Sequence, residues 1–150
     1  MTSRAPDLRL AGFSLWIHGW EVPNNPEQQD YWDANWLRVT AVYRSPGATV
    51  TVDGPILQAA ELQRFLNGCR SLETTLTGAV EFDSMDPGFR LVLTGNGRGK
   101  IELCAQLSAD IITEQHQFEA EIDQSYLPDA IDALEGILRT FAPREGRTSP

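Results

Sequence analysis

The chain predicts an α+β fold: a mainly antiparallel, curved sheet of about six to seven strands with two helices on one face, the second C-terminal. Three observations carry that expectation. Apolar residues alternate with period two through most of the chain, only two segments switch to helical spacing, and most connections are short enough for hairpins. At 150 residues, 41% hydrophobic and 22% charged, the chain fits a single domain, 1–150, with an ordered core of about 8–142. Residues 1–7 and 143–150 are rich in Pro, Ser, Thr, Gly and Arg, and are expected to be frayed tails.

Phe13, Leu15 and Ile17 share one face of the first strand; Leu37, Val39 and Ala41 do the same in the second. Val50 and Val52 mark a short third strand after the Ser45-Pro46-Gly47 turn. A helix is expected from Pro55, whose ring suits a first helical turn, with Ala59, Leu62, Phe65, Leu66 and Cys69 as its apolar stripe. Gly68 is a candidate early stop. Leu76, Val80 and Phe82 alternate through the next strand. The clearest hairpin then joins Phe89, Leu91 and Leu93 to Ile101, Leu103, Ala105 and Leu107 across Gly95–Gly99. Centring that turn on Gly97 pairs Leu93 with Ile101 and Leu91 with Leu103, so both apolar faces coincide. Phe118, Ala120 and Ile122 form the last strand. The C-terminal helix is expected to begin at Ser125 as N-cap, with Pro128 in its first turn and Leu127, Ile131, Leu134, Leu138 and Phe141 on one face.

With 21 acidic and 12 basic residues the formal net charge is −9. Such a field opposes binding to nucleic acid or an anionic membrane surface and favours a basic partner. The charge is also segregated. From Ile101 to Leu138 there are nine carboxylates and neither Lys nor Arg, and from Leu10 to Leu37 four more (Glu21, Glu27, Asp30, Asp33), again without a base. Alternation puts Glu119, Glu121 and Asp123 together opposite Phe118 and Ile122, while Asp129, Asp132 and Glu135 recur every three residues on the polar side of the last helix. Like charges so close cost stability, and solubility does not require them to be grouped. These six residues, with Trp32 and Asp33, are the candidate partner-binding residues.

No catalytic or metal constellation stands out, so a non-enzymatic protein without cofactor is expected. Gly95–Lys100 resembles a phosphate loop, but no Ser or Thr follows Lys100 and a strand rather than a helix comes next. His18 and His116 lie far apart, Cys69 and Cys104 match no metal spacing, and Glu81, Asp83 and Asp86 lack an EF-hand pattern and precede a Pro87-Gly88 turn. The run Ala11–Ile17 is too short for a secretory leader or a membrane helix, which points to a cytoplasmic protein. All four Trp fall within twenty-one residues (Trp16, Trp20, Trp32, Trp36), around a polar loop, Glu21–Asp30. Trp16 and Trp36 are expected to be more buried than Trp32. An exposed platform there would serve a protein partner or, alternatively, a small ligand or carbohydrate. A homodimer or larger structural homo-oligomer, using an open sheet face or edge, is a further alternative.

Two segments carry a resemblance. Asp30-Tyr-Trp-Asp-Ala-Asn-Trp-Leu37 and Gln117-Phe-Glu-Ala-Glu-Ile-Asp-Gln-Ser-Tyr-Leu-Pro128 resemble the WapI-like family of small bacterial immunity proteins, over roughly residues 8–142. The resemblance implies an inhibitor that occupies a cognate basic toxin domain, the nuclease (tRNase) end of a large wall-associated contact-dependent toxin. It carries no functional residue over to this chain.

Overall fold

Alternating strands need lateral partners, and the chain supplies them in two groups. The structure, a computed structural model describing residues 4–24, 30–86 and 88–145, contains two four-stranded antiparallel sheets. The first comprises β1 (Leu8–Leu10), β2 (Phe13–Trp20), β3 (Trp36–Ser45) and β4 (Ala48–Gln58), in that order. The second comprises β5 (Thr77–Asp83), β6 (Phe89–Asn96), β7 (Lys100–Leu107) and β8 (Gln117–Asp123), also in chain order. The expected single curved sheet of six to seven strands is therefore corrected to two sheets. Period two reveals which face of a strand is buried but says nothing about its lateral neighbour. Here the long helix α2 (Ala59–Thr75) carries the chain from β4 to the separate sheet that β5 begins. A short helix, α1 (Tyr31–Ala34), precedes β3, and α3 (Leu127–Thr140) closes the chain.

The inner faces of both sheets and the apolar stripes of α2 and α3 meet in one core. A run of rings crosses it. Phe65 of α2 stacks on Phe82 at 4.6 Å, Phe82 meets Phe89 edge-on at 5.1 Å, and Phe89 lies 5.6 Å from Phe13 of the other sheet. Tyr43 of β3 stacks on Phe118 of β8 at 4.5 Å, a second bridge between the sheets.

Local departures from the sequence reading have physical causes. Pro55 sits in β4, and the helix starts four residues later, where Glu61 accepts the Gln58 backbone N–H at 2.7 Å. Gly68 does not stop α2; a methyl group there would collide with Val80, so the glycine lets helix and β5 approach closely. Leu76 is no strand residue but the left-handed cap of α2 (φ 61°). In the β6–β7 hairpin the register is two residues from that expected: Leu93 opposes Leu103 and Leu91 opposes Ala105. A two-residue shift preserves the apolar face, so the pattern could not detect it. The turn centres on Arg98, with Asn96 Oδ1 accepting the N–H groups of Arg98 and Lys100. Ser125 is not the cap either: Asp123 Oδ1 accepts its N–H at 2.9 Å, a single 3-10 turn intervenes, and α3 begins at Leu127 with Pro128 in its first turn. A bulge between Ile17 and Gly19 shifts the alternation by one residue, so Trp20 turns inward opposite Leu37.

Two predictions follow from this core. Phe82→Ala removes the central ring and should cost about 4 kcal/mol of unfolding free energy, measured by urea denaturation. Glu61 is buried, its second oxygen accepting the Met85 N–H at 2.7 Å, and desolvation raises its pKa despite those bonds. A raised folded-state pKa favours the protonated form, so this contribution to stability is fullest below the ordinary carboxylate pKa and is lost as pH rises through the raised value. Glu61→Gln should remove that part of the pH dependence, seen as a flatter stability profile from the ordinary carboxylate pKa upward.

Candidate functional site

The core claims one face of each sheet and leaves the other open. On the open face of the second sheet, register places Glu102 of β7 directly opposite Glu121 of β8, and Cys104 opposite Glu119. Val92 and Thr94 of β6 stand opposite Cys104 and Glu102 and complete the floor. Together these side chains line a shallow concavity of about 370 Å³. Its flanks are ion-paired: Glu81 with Arg90 at 2.7 Å, and Asp123 with Lys100 at 3.7 Å. Among the described residues, Glu102, Glu119 and Glu121 make no such pair. The Ser125 N–H, then its hydroxyl, hold the Asp123 carboxyl below its ordinary pKa.

The structure distributes the sequence-predicted residues over three places. Glu119 and Glu121 occupy the open face just described, with Asp123 at its end. Asp129 and Asp132 lie on the solvent side of α3, which packs against α2 and β1, and so on a different element from Glu119 and Glu121. Glu135 is bound to Arg70 of α2 at 2.6 Å. Trp32 and Asp33 sit in α1, which Asp30 caps by accepting the Trp32 N–H. Glu27 falls in the stretch 25–29, outside the described residues, as does Pro87.

Trp exposure follows the expected order. Trp16 is buried, its indole N–H donating to the Arg4 carbonyl at 2.8 Å; Trp36 is half-buried; Trp32 is 44% exposed. Trp16 borders a second hollow, of about 520 Å³, on the open face of the first sheet. There Thr40 joins His18 (2.7 Å) to Asp53 (3.3 Å) in a hydrogen-bonded row. His116 lies in the loop before β8, beside Glu114, 3.4 Å away.

Two contributors escaped the sequence reading. Glu102 stands outside the candidate residues, although its alternation with Ile101 and Leu103 puts it on the polar face; only the β7–β8 register brings it against Glu121. Arg144 lies in a segment assigned to a tail. Its backbone exchanges hydrogen bonds with the buried side chain of Asn35 at 2.7 and 3.0 Å. Its guanidinium donates to the carbonyls of Val22 (2.8 Å) and Ala34 (3.3 Å) and lies 4.0 Å over the Trp20 ring. This clasp ties α1, and with it Trp32, to the end of α3.

The comparison with known proteins agrees with the two segments singled out earlier. Residues 7–142 match the model of the immunity protein WapI-like family. The chain belongs to this family. It is similar to a solved structure described as a CdiA-CT/CdiI toxin and immunity complex from Enterobacter cloacae, at 12% identity and a TM-score of 0.45, covering 83% of this chain and 99% of that one. No curated protein matches the chain. Among the described residues no group of three His, Cys, Asp or Glu is placed to hold a metal ion, and no helix is long and apolar enough to cross a membrane.

Arg144→Ala should loosen the Trp-rich segment. Losing charge-assisted hydrogen bonds and the Trp20 contact predicts about 2 kcal/mol of destabilisation. Faster amide exchange over 31–35 and greater quenching of Trp fluorescence would show it; unchanged exchange would show that Asn35 alone secures α1.

Proposed function

We propose that this immunity-family chain is a non-enzymatic inhibitor that binds and neutralises a basic nuclease toxin domain in the cytoplasm. Its docking surface is the open face of the second sheet, centred on Glu119 and Glu121 and reinforced by Glu102. The observation that carries this reading is the arrangement of those three carboxylates, side by side on rigid strands with no basic partner among the described residues. A nuclease holds phosphates with Arg and Lys, and a blocker of such a cleft must offer those cations an alternative. Asp123, Asp129, Asp132 and Glu135 add to the field that draws the partner in, whereas Trp32 and Asp33 form a peripheral contact on α1. A small-ligand reading has one observation in its favour, the hollow beside Trp16, and ligand-dependent quenching of that ring would support it.

The test uses the purified basic C-terminal domain of a large toxin gene neighbouring this one, and the absence of such a gene counts against the reading. Glu119→Lys with Glu121→Lys should slow association about tenfold at low salt, and the deficit should shrink as added salt screens charges beyond ~10 Å at 0.1 M. Cys104 lies on the docking floor, so bound toxin should protect it from alkylation. Cys69, buried with its thiol pushed up to about 12, serves as an internal control that stays unreactive until the chain unfolds. Kinetics indifferent to both salt and charge reversal would eliminate acidic docking.

A further inference from the structure

The second sheet also presents exposed apolar side chains at one end. Ile112 is 90% exposed, Ile111 54% and Met85 57%. The two isoleucines lie in the loop from β7 to β8, and Met85 in the loop from β5 to β6. Both loops leave the same end of the sheet and are joined where the Ser108 N–H donates to the Gly88 carbonyl at 2.9 Å. Water-exposed isoleucines in adjacent positions gain nothing from folding, and exposed apolar side chains gathered at one end of a sheet are a common mark of a protein contact.

Both loops are held from within. Asp110 Oδ1 accepts the Ile112 N–H at 2.9 Å, its carbonyl accepts the Glu114 N–H at 3.0 Å, and Glu114 Oε1 accepts the Ala109 N–H at 3.1 Å. In the other loop the buried Glu61 accepts the Met85 N–H, and the Ser84 hydroxyl donates to the Ile56 carbonyl while accepting the Asp86 N–H. Asp86 in turn accepts the Gly88 N–H at 2.9 Å. Little ordering entropy is left to lose when a partner binds.

We infer that Met85, Ile111 and Ile112 form a preorganised apolar anchor for the toxin domain, seated in an apolar recess with a basic rim. The inference rests on the toxin reading above and adds the residues that hold the complex once charge has brought it together. The occupant follows from the surrounding charge. The same two loops carry Asp86, Asp110 and Glu114, and Asp83 ends the neighbouring strand. A second copy of this chain would bring these carboxylates against their own kind, whereas a cationic rim satisfies them. Anchor and acidic face therefore act on different steps: the carboxylates raise the association rate, and the apolar side chains lower the dissociation rate.

The experiment measures association and dissociation rates of that same purified toxin domain, against wild type, Ile111→Ser with Ile112→Ser, and Glu119→Lys with Glu121→Lys. The serine variant changes only exposed side chains and keeps the net charge. It should dissociate about thirty-fold faster with association changed less than about twofold, while the lysine variant shows the converse. If wild type binds and the serine variant leaves dissociation unchanged, the anchor is overturned and acidic docking stands. If wild type does not bind, the toxin reading falls and the anchor with it. Sedimentation should show a monomer; a dimer abolished by the serine variant would assign these side chains to a second copy and overturn the inference.

Discussion

The ring series Phe65–Phe82–Phe89–Phe13 is the contact on which the rest of the structure depends. It starts on α2, passes through two strands of the second sheet and ends on β2 of the first. Aromatic pairs at such separations add directional preference to simple burial. Three layers are therefore fixed in mutual orientation, not merely collapsed together. Tyr43 on Phe118 supplies a second tie between the sheets. Once the two inner faces are committed to one another, each strand has a single face left to solvent, and residue parity decides what that face displays.

The two open faces differ in how they meet their own polar demands. On the first sheet His18, Thr40 and Asp53 are joined in a cross-strand row, and Trp16 is anchored through its indole N–H. On the second sheet the edges are paired by Glu81–Arg90 and Lys100–Asp123, yet the centre sets Glu102 against Glu121. Directly opposed like charges on a sheet are destabilising, on the order of 0.5 kcal/mol. The first face joins His18, Thr40 and Asp53 among themselves, whereas the centre of the second sets carboxylate against carboxylate.

How far the sequence reveals this depends on which physical quantity a residue pattern encodes. Alternation encodes face, and so the placement of Glu119 and Glu121 opposite Ile122, and of Glu102 between Ile101 and Leu103, is legible. The apolar stripe of α3 is legible for the same reason, with period 3.6. Lateral pairing is not encoded that way, which is why two sheets look like one and why the hairpin's two-residue offset passes unnoticed. Pro55 is ambiguous because its fixed φ suits an extended segment as well as a first helical turn. Arg144 is invisible altogether: an arginine in a Pro- and Gly-bearing segment has no periodicity, and its partners Val22, Ala34 and Asn35 are more than a hundred residues away.

The unfavourable features of the free chain are not scattered. The opposed Glu102 and Glu121, Glu119 with no ion pair among the described residues, and the solvent-exposed Ile111, Ile112 and Met85 all belong to the second sheet or the loops at its end. The opposed carboxylates lower the stability of the isolated protein, the exposed apolar side chains gain nothing from folding, and none is needed to close the core, which Phe82 and Phe89 fill from the other side of the same sheet. Strands hold the carboxylates and side-chain hydrogen bonds brace the loops, so the cost is borne in advance rather than at the moment of binding. Rigid presentation suits electrostatic steering, because the charge pattern met by an approaching partner is already the one it must match. Under the proposed reading, a sheet that is apolar on one side, acidic on the other and tipped with isoleucine would divide the labour of recognition by position: the core keeps the strands in register, the face serves association, and the tip serves retention.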